Sequence, residues 1–211
     1  MNHGFCIGIG GGSCSGKTTL AAHLAEQLGA ANCAVLCFDD YYVSVGMAAA
    51  ADTNFDHPDA IDWALLSQQL DRFKAGQAID VPVYDFATHT RTERTRRVEP
   101  RPLVILEGIL ALAHADLRAL YDHAVFVDCD EATRRARRFD RDQRERDREP
   151  DFIEHQLTNH VEPMYREFVW PSSAHADVVL SQDALGRELN GAEPTLLELC
   201  ERQLGARRAA P

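Results

Sequence analysis

Eight consecutive residues, Gly11-Gly12-Ser13-Cys14-Ser15-Gly16-Lys17-Thr18, carry the spacing G-x-x-x-x-G-K-[ST]. Glycines at those places let the backbone curl until successive N–H groups point at one anionic centre. A helix that starts there adds about half a positive charge from its N-terminus. Lys17 is then placed to reach the β- and γ-phosphates of a nucleoside triphosphate, and the Thr18 hydroxyl to bind Mg²⁺. Gly11 to Thr19 is therefore the expected nucleotide-binding run. Lys17 is one of two lysines, with Lys74, among 22 basic residues, so its position in the motif is informative.

Phosphoryl transfer also needs carboxylates. Val104-Ile105-Leu106 is an apolar run ending in Glu107. An acid at a strand tip in an open sheet faces the same crevice as the phosphate loop, where it can hold Mg²⁺ directly or through water. Asp39 and Asp40 follow another apolar run. A hydroxyl loses its proton as it attacks phosphorus, which calls for a carboxylate as base or positioner. Asp39 takes that role here and joins Thr18 and Glu107 as a candidate metal ligand. Asp after a strand is equally common as a turn cap, and the residues alone leave both uses open. A third feature is a run of arginines at 134, 135, 137, 138, 141, 144, 146 and 148.

The elements that must carry these groups are legible. Residues 5–9, 34–38, 103–106, 124–127 and 177–180 are continuous apolar runs, the mark of parallel strands covered on both faces. Helical spacing falls between them: Thr18 to Leu28, Asp62 to Ala75, Glu131 to Arg148, Asp151 to Phe168 with Pro163 as an expected kink, and Thr195 to Leu204. The alternation predicts a doubly wound α/β domain of the P-loop NTPase type with a five-stranded parallel sheet. Residues 79–84 and 96–99 break the alternation. They read as a β-hairpin with a polar tip, Thr88 to Thr95, inserted at about 78–100 as a site for acceptor contacts. The expectation is one domain over residues 1–211, with an arginine-bearing helical lid at about 134–156. Fraying is expected from Arg207 onward.

Composition sets limits. A chain of 211 residues with 45% hydrophobic residues suits one globular domain. A net charge of −11 argues against nucleic acid as a partner. No apolar run is long enough to span a bilayer, and Met1 to Cys6 lacks a signal-peptide pattern, so a cytoplasmic protein is expected. The six cysteines form no Cys-x-x-Cys pair and read as free thiols.

Several segments, in order, resemble the uridine kinase family of P-loop kinases: GGSCSGKTTLA (11–21), FDDYY (38–42), NFDHPDAID (54–62), PVYDFATHTR (82–91), ILEGILAL (105–112), FVDCDEATRRARR (126–138) and RDQRERDR (141–148). The phosphate loop is shared by a superfamily, whereas NFDHPDA and PVYDF-x-x-H are far more specific. The resemblance implies ATP or GTP as donor with Mg²⁺, and uridine or cytidine as acceptor at its 5′-hydroxyl. It implies that Asp39 is the base, Asp56 grips the ribose hydroxyls, and Tyr84 and His89 stack on and hydrogen-bond the pyrimidine. Arg138, Gln156 and Arg148 match further acceptor contacts, and Arg141 and Arg146 match lid arginines that reach the triphosphate. A homo-oligomer, a tetramer, is implied in the same way. Two positions depart from the pattern: Asp40 stands where serine is often found, and Asp147 where glycine is usual in the lid.

The residues leave other uses open. Asp56 or Asp59 suits a helix cap, Tyr84 a hairpin core, and most of the arginines an exposed helix laced with ion pairs. Same-fold kinases of nicotinamide riboside, a pantothenate-like alcohol or ribulose 5-phosphate compete. The last would need a basic pocket, for which Arg91, Arg94, Arg96 and Arg97 are available. A nucleotide-binding switch is opposed by the lack of an Asn-Lys-x-Asp motif and by the Asp39 and Asp56 pair, which it would leave idle.

Overall fold

The five apolar runs pair as one parallel sheet: β1 (Phe5–Gly11), β2 (Cys33–Cys37), β5 (Leu103–Glu107), β6 (His123–Val127) and β7 (Val178–Leu180), in the order β2-β5-β1-β6-β7. The structure is a computed structural model and describes residues 4–50 and 53–209. Met1 to His3, part of the expected N-terminal segment, lie outside the described residues.

Alternation along each strand explains why the runs are continuously apolar. Ile7, Ile9, Ile105, Val125 and Val127 pack on one side against helix α1 (Lys17–Leu28) and the C-terminal helix, through Leu20, Leu24, Leu196 and Cys200. Cys6, Leu36, Val104, Leu106 and Phe126 face the other side, against α2 (Trp63–Lys74) with its Leu66, Leu70 and Phe73. Burying both faces leaves no place for polar residues except at strand ends. That is where Glu107 and the phosphate loop stand.

Asp62 caps α2 by accepting from the Leu65 N–H at 3.1 Å. Neither Asp56 nor Asp59 takes that part. The hairpin is antiparallel, β3 (Ile79–Asp85) with β4 (Thr90–Val98), and its pairing shifts register between Pro82 and Tyr84. Its tip is shorter than the expected Thr88 to Thr95, because strand resumes at Thr90. Charged residues that face solvent on β4 conceal a strand in which Thr90, Thr92 and Thr95 are well suited to the pleat.

Helix α3 (Glu131–Arg146) ends two residues before the expected Arg148, at Asp147 with φ 49° and ψ 40°. From Pro150 to Ser172 the chain stays helical, and Pro163 does not break it. Wider π turns at Leu157–Val161 and Tyr165–Val169 precede Pro163 and Pro171. Each proline lacks an N–H and crowds the carbonyl four residues back, and a wider turn relieves both. Helix α4 (Gln182–Leu189) and helix α5 (Thr195–Ala209) complete the layer over α1. Helix therefore continues past Arg207, where fraying was expected. Ala210 and Pro211 lie outside the described residues.

The left-handed conformation of Asp147 costs a residue with a Cβ about 1 kcal/mol, and a carboxylate beside a helix C-terminus adds to it. Asp147→Gly should raise the unfolding free energy by about 0.5–1 kcal/mol in urea denaturation. A loss of stability would show that the Asp147 side chain holds the turn.

Candidate active site

Strand register builds the site. Ile9 and Cys37 both pair with Glu107, so the end of β5 lies between the strand that feeds the phosphate loop and the strand that leads to Asp39. The loop backbone takes left-handed angles at Gly11 (φ 145°), Cys14 (φ 60°) and Gly16 (φ 108°). Gly12 is constrained by space: a Cβ there would lie 2.7 Å from Arg134 Cδ and 3.0 Å from Tyr165 Cε2. Lys17 is buried and donates weakly to the Gly12 carbonyl at 3.5 Å.

Glu107 is 3% exposed. It accepts from Thr18 Oγ1 at 3.1 and 3.2 Å and from Cys37 Sγ at 3.2 Å. A hydroxyl beside a carboxylate is an all-oxygen pair that suits a hard cation such as Mg²⁺, with water and phosphate oxygens completing the shell. Among the described residues no three His, Cys, Asp or Glu side chains gather around a metal position.

Asp39 lines the same cavity of about 730 Å³, as do Asp56, Tyr84, His89 and Gln156. Burial raises the Asp56 carboxyl above its usual range, with Arg138 pulling the other way. Tyr84 packs on Tyr42 at 5.5 Å and Phe86 at 5.2 Å, so hairpin core and cavity wall are the same residue. His89 (φ 54°) stacks on Phe55 at 4.9 Å, and its carbonyl accepts from the Val45 and Gly46 N–H groups. Burial first, then Arg148 and Arg146, lowers its imidazole, which favours the neutral form that can both donate and accept. Tyr84 Oη and His89 Nδ1 are buried with no hydrogen-bond partner among the described residues. Buried polar atoms of that kind are costly unless a ligand meets them.

The second aspartate is not a second cavity carboxylate. Asp40 is held by Arg96 at 3.2 Å on the hairpin, while burial raises its carboxyl. Arg91 is likewise committed, to Asp62 at 2.9 Å and to the Tyr41 carbonyl, and Arg97 to Asp80 and Glu99. None of the hairpin arginines lines the cavity. The basic pocket that a phosphorylated acceptor would need is absent from that side.

The arginines of α3, and Arg148 just beyond its end, divide by depth. Arg144 pairs with Asp140 on the surface, the solvated ion pairing expected of the helix. Arg138, Arg141, Arg146 and Arg148 line the cavity. Arg138 Nη1 donates to Ser13 Oγ in the loop at 2.6 Å, and Arg148 Nη1 to Gln156 Oε1 at 3.0 Å. Arg134 is 2% exposed, bonded to both oxygens of Glu162 at 3.1 Å and stacked on Tyr165 at 3.7 Å. Residues not expected at the site also line the wall, among them Tyr42, Phe55, Phe86, Ile109, Glu145 and Gln182. Phe55 and Phe86 lie inside the segments NFDHPDAID and PVYDFATHTR, so their neighbours were the available signal. Gln182 is joined to the Ser15 and Asp128 carbonyls only by folding, and nothing local marks it.

A phosphate loop on a doubly wound parallel sheet, with Thr18 hydrogen-bonded to Glu107 beside it and a cavity at the sheet's carboxyl edge, defines a P-loop kinase. Residues 6–184 match the phosphoribulokinase/uridine kinase family, and the chain belongs to it. A uridine kinase of Lactobacillus johnsonii is 42% identical over 180 residues, covering 83% of this chain and 85% of that protein. Among solved structures, a possible uridine kinase from Bacillus stearothermophilus is 26% identical with TM-score 0.54, covering 84% of this chain and 89% of that one. A putative fructose transport system kinase from Silicibacter sp. TM1040 shares the fold at TM-score 0.70 and 19% identity, covering 85% and 91% of the two chains.

Because Gly12 faces Arg134 and Tyr165, a methyl group there must displace one of them. Gly12→Ala should cost about 1–3 kcal/mol and weaken nucleotide binding at least tenfold by calorimetry. Unchanged binding would mean that the loop yields where the packing says it cannot.

Proposed function

We propose that the enzyme transfers the γ-phosphoryl group of ATP or GTP to the 5′-hydroxyl of uridine or cytidine. The observation that carries this reading is the acceptor side of the cavity. Asp56 lines the cavity, and Tyr84 and His89 present two buried polar atoms, unpartnered among the described residues, beside the stacked ring of Phe55. A ribose diol suits a carboxylate acceptor, and a pyrimidine edge suits a hydroxyl and a neutral imidazole. Hairpin arginines tied to Asp40, Asp62, Asp80 and Glu99 weigh against a phosphorylated acceptor.

In this reading Lys17 and the loop amides hold the donor phosphates, and the donor supplies the transferred group. Thr18 and Glu107, with Asp39, would hold Mg²⁺, which neutralises charge on the phosphates. Asp39 takes the proton of the attacking hydroxyl. Asp56 fixes the ribose, with Arg138, Arg148 and Gln156 as further acceptor contacts. Arg141 and Arg146 stabilise charge on the phosphoryl oxygens and exclude water. The reaction calls for a compartment that holds nucleoside triphosphates, consistent with the cytoplasm. A homo-oligomer, on the pattern of the family, is part of the same reading.

A coupled ADP-release assay with MgATP across uridine, cytidine, adenosine, nicotinamide riboside, pantothenate and ribulose 5-phosphate tests the acceptor. Turnover confined to uridine and cytidine is expected. Turnover with nicotinamide riboside or ribulose 5-phosphate instead would overturn the assignment of the hairpin and Asp56. Asp39→Asn should leave ADP affinity within about twofold and lower kcat by about 10²–10⁴-fold. Comparable turnover would remove Asp39 as base.

The raised Asp56 carboxyl gives a pH signature. Its ionised form is the hydroxyl acceptor, and a raised value means that it protonates at higher pH than an ordinary aspartate. kcat/KM for the nucleoside should therefore fall on acidification before an ordinary aspartate would titrate. Asp56→Asn should remove that acid limb, and an unchanged limb would assign it elsewhere.

A further inference from the structure

We propose that Asp142 is a positioning residue for phosphoryl transfer: one buried carboxylate gathers Arg138, Arg141, Arg146 and Arg148 into a single array at the cavity. The inference rests on the reading of that cavity as a kinase site.

Asp142 has no exposed surface. Its Oδ1 accepts from Arg141 Nε at 3.0 Å and Nη2 at 2.8 Å, with Arg146 Nε at 3.8 Å. Its Oδ2 accepts from Arg138 Nε at 2.9 Å and Arg148 Nη1 at 3.2 Å. Its backbone carbonyl accepts from the N–H groups of Asp147 and Arg148, which turns the chain at the end of α3. One residue thus fixes the turn and all four guanidiniums. From this point the network reaches Ser13 in the phosphate loop through Arg138, and Gln156 on the acceptor side through Arg148.

The charge count shows that the array is built for an anion. Four guanidiniums face three carboxylates, Asp142, Asp56 beside Arg138 and Glu145 in the cavity wall, which leaves one positive charge in excess. Burial works to raise the Asp142 carboxyl, but Arg138 and Arg141 hold it below its usual range, so it stays ionised. Arg146 and Arg148 are lowered by burial and also by neighbouring guanidiniums, the mark of cations lacking enough counter-charge. A polyphosphate supplies what is missing. Long arginine side chains have many rotamers, and an anchor that orders them before the ligand arrives avoids that ordering at the moment of reaction. Asp142 lies outside the set of residues lining the cavity, so it acts through the arginines and not on the substrate.

Asp142→Asn keeps the shape and removes the charge. The variant is compared with the wild type in steady-state kinetics with MgATP and the acceptor that the wild type turns over, alongside thermal unfolding and sulfate inhibition. If the wild type used an acceptor other than uridine or cytidine, the function reading would fail while this comparison still held. The expected result is a kcat lower by about 10²-fold, as for a misplacement of about 1 Å, with the acceptor KM within about threefold. Sulfate, a small dianion, should inhibit the variant at about tenfold lower concentration, because the guanidiniums lose their internal counter-charge. A kcat within about twofold of wild type, or a lowered kcat with unchanged sulfate inhibition, would overturn the proposal and leave Asp142 a structural group. If the Asn variant does not fold, Asp142→Glu keeps the charge and moves it by one methylene. It should lower kcat while leaving sulfate inhibition near the wild-type value, and an unchanged kcat would again overturn the proposal.

Discussion

Like charge crowded into one cavity is the constraint on which the structure depends. Asp39, Asp56 and Glu107 line a single space with the phosphate loop, in a chain that already carries net charge −11. A triphosphate brought there adds several more negative charges. The arrangement works only if positive charge is concentrated and fixed at the same place. The helix N-terminus after Gly16 and the buried Lys17 supply it from below. The α3 arginines supply it from above. Distributed over the surface, the same cations would be screened by solvent and salt, and so of little use.

The fold turns that requirement into positions. A parallel sheet places all its strand ends on one edge, and helices on both faces leave that edge as the one place where polar groups can gather. The pairing of Glu107 with both Ile9 and Cys37 links Glu107, the phosphate loop and the strand leading to Asp39 across three adjacent strands. Arg134 serves the same end from inside the protein. Its guanidinium is consumed by Glu162 and Tyr165, and its aliphatic stem lies where a side chain on Gly12 would go. A buried pair of this kind contributes little net stability but fixes how α3 and the helix through Glu162 meet the loop.

Sequence carried the fold well because its signals are local and strong. Continuous apolar runs, helical spacing and the G-x-x-x-x-G-K-[ST] spacing each need only a few neighbouring residues. Asp39, Asp56, Tyr84 and His89 were likewise visible within short segments. What was hidden depends on distance in space. Asp142 stood among eight arginines as one more solvated acid of an ion-paired helix, until burial made it their common partner. Arg134 lay in the same run, and its role is set by Glu162, 28 residues away. Asp40 stood out only as a departure from the family pattern, and its tie to Arg96, 56 residues away, could not be read locally. Pro163 read as a kink because a π turn has no simple sequence mark.

The central claim is that donor and acceptor subsites meet in one cavity between the phosphate loop, the hairpin and α3. Calorimetric titration with uridine joined to adenosine through a four-phosphate bridge, in the presence of Mg²⁺, tests it most directly. If both ends are held at once, the compound should bind at least about 10²-fold tighter than ADP or uridine alone. Affinity no greater than that of ADP alone would contradict a shared cavity and separate the two subsites.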